Sequence, residues 1–185
     1  ICLAVTPKMK SLGVKNRCRR YEIPKNIRYL VAKPRMQKYI DYAAEIYGKY
    51  LDYMDKQDIY VYSIDESFID ATDYLQIYGK TPKEYAKMLI EEIARRTHIP
   101  ATAGIGTNLY LAKIALDITA KKCPDRIGYL DERTFRETLW THRPLTDFWG
   151  IAKGISNRLA KKGIYDMQGI TRCPEGILYR EFGVN

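Results

Sequence analysis

The sequence predicts an α+β fold, an antiparallel sheet packed on helices, followed by a small helical module. Three observations carry that prediction. Two β-rich runs, IYVYS at 59–63 and SFIDA at 67–71, lie close enough to pair as a hairpin. Apolar residues at three- and four-residue steps mark helices on both sides of it. Beyond Pro144 the chain turns to short helices around glycine, as in FWGIAKGISNRLAKKGI. From Pro34 to Met54, the residues Met36, Ile40, Ala43, Tyr47, Tyr50 and Met54 form one face of a long amphipathic helix. Alternation places Tyr60, Tyr62 and Ile64 on one face before the hairpin turn, packed on helices with Ile69 and Ala71 after it. Thr81-Pro-Lys-Glu84 is a capping box with Pro at the first helical position. The helix it opens, to about Arg96, is expected to bury Tyr85, Met88, Leu89 and Ile93. ATAGIG at 101–106 reads as a strand and LYLAKIALDIT at 109–119 as a buried helix. IGYL at 127–130 is a further strand, with Asp131 capping a helix through Trp140. Residues 1–33 show no clear period.

A chain of 185 residues, 46% hydrophobic, suits one ordinary domain or two small ones. Its 31 Lys and Arg against 22 Asp and Glu leave a net charge of +9. That surplus favours polyanions, nucleic acid first and anionic membrane second, with solubility alone as the plain alternative. No apolar run approaches the roughly 20 residues of a membrane span, and no signal-peptide pattern is present, so no membrane partner is expected. Cys2, Cys18, Cys123 and Cys173 are widely spaced, without the C-x-x-C pairs of a zinc or redox centre, and read as reduced thiols. His98 and His142 stand in unrelated contexts that suit structural or solvated side chains better than catalysis. The apolar opening ICLAV, beginning at Ile1, reads like the inside of a fold and suggests a piece of a longer protein.

Three constellations carry chemistry. In VYSIDESFIDATDYL, Asp65 and Glu66 fall at the middle of the hairpin. Neighbours on a straight strand point to opposite faces, whereas a sharp turn aims both at one place. Adjacent carboxylates on a rigid turn repel unless a cation neutralises them, and Mg²⁺ prefers such hard oxygen ligands. Taken alone, an acidic pair at a hairpin is more often solvated. AGIGTNLYLAKIALDITAKK, 103–122, is a glycine turn entering a helix, which can cradle phosphate on free amides, with Lys121 and Lys122 beyond it. It lacks the G-K-[ST] of a P-loop and the third glycine of a dinucleotide fingerprint, so a plain strand-to-helix connection is the simpler reading. WGIAKGISNRLAKKGI, 149–164, resembles the second half of a helix-hairpin-helix, a motif that meets one DNA backbone without reading bases. Lys153, Arg158, Lys161 and Lys162 supply its charge.

Together and in order, S-I-D-E-S-F (63–68), G-I-G-x-N-x-x-x-A-K-I-A (104–115) and G-I-x-x-x-I-x-x-x-L-x-x-x-G-I (150–164) resemble the Y-family translesion DNA polymerases of the UmuC/DinB type. The resemblance runs from about Pro7 to Ile164. It implies a remainder of the fingers at 1–33, a palm at 34–125 and a thumb with the helix-hairpin-helix at 126–185. It implies DNA synthesis past damaged bases by two-metal nucleotidyl transfer in the SOS response. Asp65 would bridge two Mg²⁺ ions and Glu66 would hold the one at the primer 3′ end, with Mn²⁺ able to substitute. Lys10 and Lys121 would grip the triphosphate, with Lys122 as the fallback for Lys121. Gly150, Ala152, Lys153, Arg158 and Lys161 would meet the DNA. The implied partners are primer-template DNA, a dNTP and, through segments outside this chain, a sliding clamp. The implied place is the bacterial cytoplasm, at the nucleoid.

The departures from the pattern are specific. Where the family has Tyr-x-x-Arg-x-x-Gly-Val, this chain has Pro7-x-x-Lys10-x-x-Gly13-Val14, which loses a hydroxyl and a bidentate fork. One extra residue precedes Ala120-Lys121, and Ala152 replaces a second glycine. The family's first strand, with a third carboxylate and the residue that excludes ribonucleotides, is missing, as is its C-terminal DNA-grasping domain. Residues 1–185 alone are therefore expected to be inactive, and the intact parent active. A non-catalytic DNA-binding protein with a decayed site is the alternative. A metal-dependent nuclease or cyclase on a similar palm explains the carboxylates but not the hairpin.

Overall fold

Thr6 opens the first helix, α1 (Pro7–Ser11), its hydroxyl accepting a hydrogen bond from Met9 N at 3.3 Å. The helix stops at Gly13, whose φ of +85° suits glycine. A 3₁₀ turn at Arg20–Glu22 follows, with the Glu22 carboxylate accepting from Arg19 N at 2.7 Å. Cys2 N donates to Cys18 O at 2.9 Å. Among these residues only Val14 and Ile23 are buried hydrophobics. The computed structural model describes residues 1–183 and divides into two units, residues 1–36 and the remainder from Gln37. The last two residues of the expected thumb, 184 and 185, lie outside the described residues.

The second unit begins with most of α2 (Met36–Tyr50). No residue of this helix is buried, and only its C-terminal end joins a core, through Tyr47 and Tyr50. The predicted apolar face at Met36 and Ile40 is exposed. Strands β1 (Ile59–Val61) and β2 (Ser67–Ile69) pair antiparallel, with Ile59 opposite Ile69 and Tyr60 opposite Phe68. The buried face of β1 differs from the expectation: Ile59 points into the core, whereas Tyr60, Tyr62 and Ile64 are exposed. Alternation defines two faces without saying which is inside, and Ile59 is the one that meets Met54 and Tyr85.

After α3 (Thr72–Ile77) comes α4 (Pro82–Thr97), opened by the predicted capping box. Glu84 N donates to Thr81 Oγ1 at 3.3 Å, and Thr81 N to Glu84 Oε2 at 2.8 Å. Tyr85 and Ile93 are its buried anchors, with Met88 and Leu89 partly buried. His98 ends it in the left-handed conformation.

β3 (Ala103–Gly106) leads into α5 (Leu109–Ile114), capped by Asn108, and a π turn at Ala115–Thr119 extends the helix. β4 (Ile127–Leu130) then pairs with β3 in parallel, Ala103 opposite Ile127. The strands thus form two separate pairs, the expected antiparallel hairpin and a parallel pair beside it in sequence. The helix between β3 and β4 makes the parallel crossover possible. It also means that the expected boundary at 125/126 falls just before a strand that pairs with the preceding residues.

Asp131 caps α6 (Glu132–Leu139), and a 3₁₀ turn at Leu145–Asp147 precedes α7 (Lys153–Ala160), α8 (Met167–Arg172) and α9 (Glu175–Phe182). One core joins Ile114, Ile118 and Leu130 to Phe148, Leu159 and Ile164, so the parallel pair and the terminal helices share their interior. His142 pairs with Asp147 at 2.8 Å, a structural role. Among the described residues no helix is long and apolar enough to cross a membrane.

Candidate active site

The turn between β1 and β2 is pinned by one acceptor: Tyr62 N and Ser63 N both donate to Glu66 O at 3.0 Å. Its two carboxylates are held differently. Asp65 is exposed and, among the described residues, accepts only the Ser63 hydroxyl, at 2.9 Å. Glu66 is half-buried, and each of its oxygens accepts from Lys113 Nζ at 2.9 Å.

Lys113 is a position of the G-I-G-x-N-x-x-x-A-K-I-A motif, but the sequence alone assigns it no role, and its second partner is not singled out at all. Its side chain is 8% exposed, and its ammonium also meets Asp117 at 3.2 Å. The ring of Tyr62 lies 5.9 Å away. Burial works against the ammonium, but the hydrogen bonds to Glu66 and Asp117 outweigh it and hold the Lys113 pKa above the ordinary lysine value. A signal was present: Lys113 sits in the apolar run LYLAKIAL, where a charge needs a partner, and Asp117 follows at i+4.

Glu66 also lines a cleft of about 720 Å³, bounded by residues of β2 on one side and β3 on the other. Tyr85, Leu89, Ile93 and Leu116 also line it. The glycines of β3 are not a phosphate cradle. A Cβ on Gly104 would overlap Ala112 O and Leu116 N, and one on Gly106 would overlap Ala112 N. They are glycines because the strand runs against the helix backbone.

Lys121 and Lys122 lie exposed on a 3₁₀ turn, Ala120–Lys122, with no ion pair among the described residues. Just before them, the π turn at Ala115–Thr119 holds one residue more than an α-helical turn would. Lys10 lies exposed on α1 of the first unit.

In the 149–164 segment the turn is formed by Gly150, at φ +88°, with Ile151 N donating to Phe148 O at 3.1 Å. Its N-terminal flank is the single 3₁₀ turn at Leu145–Asp147. Ala152 has φ −84° and ψ 171°, an extended conformation open to any residue, so it replaces glycine without strain. Lys153 and Lys161 are exposed. Arg158 is committed elsewhere: it donates to Glu181 O at 2.9 Å and lies 4.5 Å from the Phe182 ring centre. Trp149 donates through Nε1 to the Tyr62 hydroxyl at 3.1 Å and packs on Phe68 and Tyr110, joining this turn to the carboxylate hairpin.

Asp65 and Glu66 offer hard oxygen donors suited to a divalent cation that completes its shell with water and phosphate. Among the described residues no three His, Cys, Asp or Glu side chains gather closely enough to form a cage. The donor set fits an ion shared with a phosphate substrate.

The carboxylate hairpin sits on a helix-backed α+β body whose core is continuous with the small glycine-turn module. The impB/mucB/samB family profile matches residues 1–117, and the chain belongs to that family. It is 34% identical over 186 residues to DNA polymerase IV 2 of Bacillus subtilis, covering 100% of this chain and 44% of that protein. It is 29% identical over 153 residues to DNA polymerase IV of Pseudomonas syringae pv. tomato, covering 83% of this chain and 41% of the relative. The solved insertion ternary complex of Dbh DNA polymerase matches with a TM-score of 0.76 at 25% identity, over 96% of this chain and 50% of that one. The chain thus spans less than half the length of these curated relatives.

Proposed function

We propose that the intact protein is a template-directed DNA polymerase that copies past damaged bases, and that residues 1–185 carry part of its active centre. The observation that carries this reading is the pinned turn that bears Asp65 and Glu66, with Glu66 lining the cleft. Family membership and the polymerase names of the relatives support it. Asp65 and Glu66 are the proposed ligands of Mg²⁺, with Mn²⁺ able to replace it. The chemistry supplied there when the ions are bound is activation of the primer 3′-hydroxyl and neutralisation of triphosphate charge. Asp65, with a single hydrogen bond, is free to serve two ions, whereas Glu66 is aimed by Lys113.

Two ions call for a third carboxylate. An extended strand entering the cleft between β2 and β3 would bring one beside Glu66 and join the two strand pairs. We assign residues 37–130 to the palm, with the boundary moved past β4, and those from Asp131 onward to the thumb. Residues 1–36 belong to the fingers. Lys10 and Lys121 are the proposed triphosphate contacts. Gly150, Ala152, Lys153 and Lys161 are the proposed DNA-backbone contacts, with Arg158 bracing α7 against α9. Primer-template DNA and a dNTP are the proposed partners, a sliding clamp a further one, and the bacterial nucleoid the proposed place.

The test is primer extension by the full-length parent beside its Asp65→Asn form. The variant is expected to be at least ~100-fold slower, the scale for loss of a charge-stabilising group. Residues 1–185 alone should incorporate nothing. A parent that binds primer-template yet extends nothing with Mg²⁺ or Mn²⁺ would replace this reading with that of a DNA-binding protein.

A further inference from the structure

We propose that Lys113 is a built-in counter-cation for Glu66, holding that carboxylate until a divalent ion reaches the turn and then resting wholly on Asp117. The proposal depends on Asp65-Glu66 being a metal site.

Three observations carry it. The Lys113 side chain is 8% exposed, and an ammonium so buried must keep a partner at all times. Both Glu66 oxygens accept from Lys113, so a divalent ion and the buried ammonium compete for the charge of one carboxylate. Asp117, already at 3.2 Å and four residues along from Lys113, gives the ammonium somewhere to stay when Glu66 is drawn away. Asp65 has no such competitor and keeps only the Ser63 hydroxyl.

The arrangement also answers a problem posed by two adjacent carboxylates. Adjacent carboxylates raise each other's energy when no cation is near. With Lys113 on Glu66 the turn keeps its shape without a metal, and the cation that stabilises it is then exchanged rather than added. Lys113 is thus a positioning residue, and Asp117 is the second half of the device. Neither needs to touch the nucleotide.

Mn²⁺ titration of the full-length parent, read by the electron paramagnetic resonance of free Mn²⁺, tests the exchange. Asp65→Asn and Glu66→Gln serve as controls, and circular dichroism checks that each variant is folded. Lys113→Met should bind Mn²⁺ about fivefold more tightly, the weight of one part-exposed ion pair. Lys113→Arg should bind it more weakly, because the planar fork grips both Glu66 oxygens at once. Asp117→Asn should also bind it more weakly, since Lys113 loses its alternative partner. Adding Lys113→Met to Asp117→Asn should abolish that loss. A merely structural lysine would give weaker binding in Lys113→Met and Lys113→Arg alike, and that result overturns the proposal. Should Lys113→Met not fold, unchanged Mn²⁺ binding in Asp117→Asn overturns it alone. Wild-type binding no stronger than that of the two controls would remove the metal site itself, and the exchange with it.

Discussion

The first 36 residues and the rest of the chain divide the labour of charge and core. Residues 1–36 hold ten Lys and Arg against one carboxylate, Glu22, a net charge of +9. That leaves 21 of the 31 basic and 21 of the 22 acidic residues for the second unit, which is neutral. Cores divide the opposite way: Val14 and Ile23 are the buried hydrophobics of the first unit, whereas the second has two clusters. Among the described residues, pairs such as Lys113–Glu66, Arg143–Asp166 and Lys162–Glu181 lie in the second unit. Many of its cations are thus paired within the fold, although Lys121, Lys122, Lys153 and Lys161 stay exposed, and the net surplus lies in the first unit. The electrostatic argument from whole-chain composition belongs to 36 residues.

The largest expected effect breaks the core side of this contrast. Phe148 is 2% exposed, with the rings of Phe135 and His142 at 6.1 and 5.6 Å. Phe148→Ala should cost about 3–5 kcal/mol in denaturant unfolding. Replacing Lys8, Lys10, Lys15 and Arg17 together by Ala should leave that midpoint nearly unchanged, since all four are exposed. A loss as large from the second set would mean that the first unit's charges hold structure.

The same four replacements test the other side. Affinity for primer-template, followed by fluorescence anisotropy against salt, should fall by roughly tenfold or more. The log–log salt slope should flatten by up to about 0.9 for each phosphate no longer neutralised. Replacing Lys49, Arg95, Arg133 and Arg136, each already paired with a carboxylate of its own helix or the adjoining turn, should leave the slope almost unaltered. Equal losses from both sets would erase the distinction between the units.

Features written within one turn of chain were legible from the sequence. The Thr81–Glu84 box, the Asp131 cap and the hairpin around Asp65-Glu66 depend on neighbours a few residues apart. What failed was non-local. Tyr60 and Tyr62 are apolar enough to be read as core, yet the side of β1 that faces inward was decided by Met54 and Tyr85. The glycines at 104 and 106 read in the sequence as a plain strand-to-helix connection, but the reason for glycine, the close approach of the helix backbone, comes only with the packing. The Lys113–Glu66 pair spans 47 residues, and only the folded chain brings it together. The parallel pairing of β3 with β4 was hidden for the same reason.

The smallest expected effect concerns a cation that the second unit keeps for itself. Asp166 is buried, and its Oδ2 accepts from Arg143 Nη2 at 2.7 Å and Nε at 3.1 Å. Its Oδ1 caps α8 through Gly169 N at 2.9 Å. Arg143 first, and the Gly169 amide second, hold this carboxyl below the usual aspartate range. Asp166→Asn keeps an adequate cap but loses the charge-assisted pair, so it should cost about 1–2 kcal/mol at neutral pH. The direction with pH follows from the lowered pKa. The contribution is complete above the unfolded-state value of about 3.9 and is lost as pH falls through the lower folded-state value. Urea unfolding of wild type and variant from pH 7 to pH 3 should therefore show a constant gap that narrows only below about pH 4. A gap that widens on acidification would mean that the Arg143 pair does not stabilise the fold. Arg143 would then join the exposed Lys153 and Lys161 as a cation of the second unit available to a polyanion.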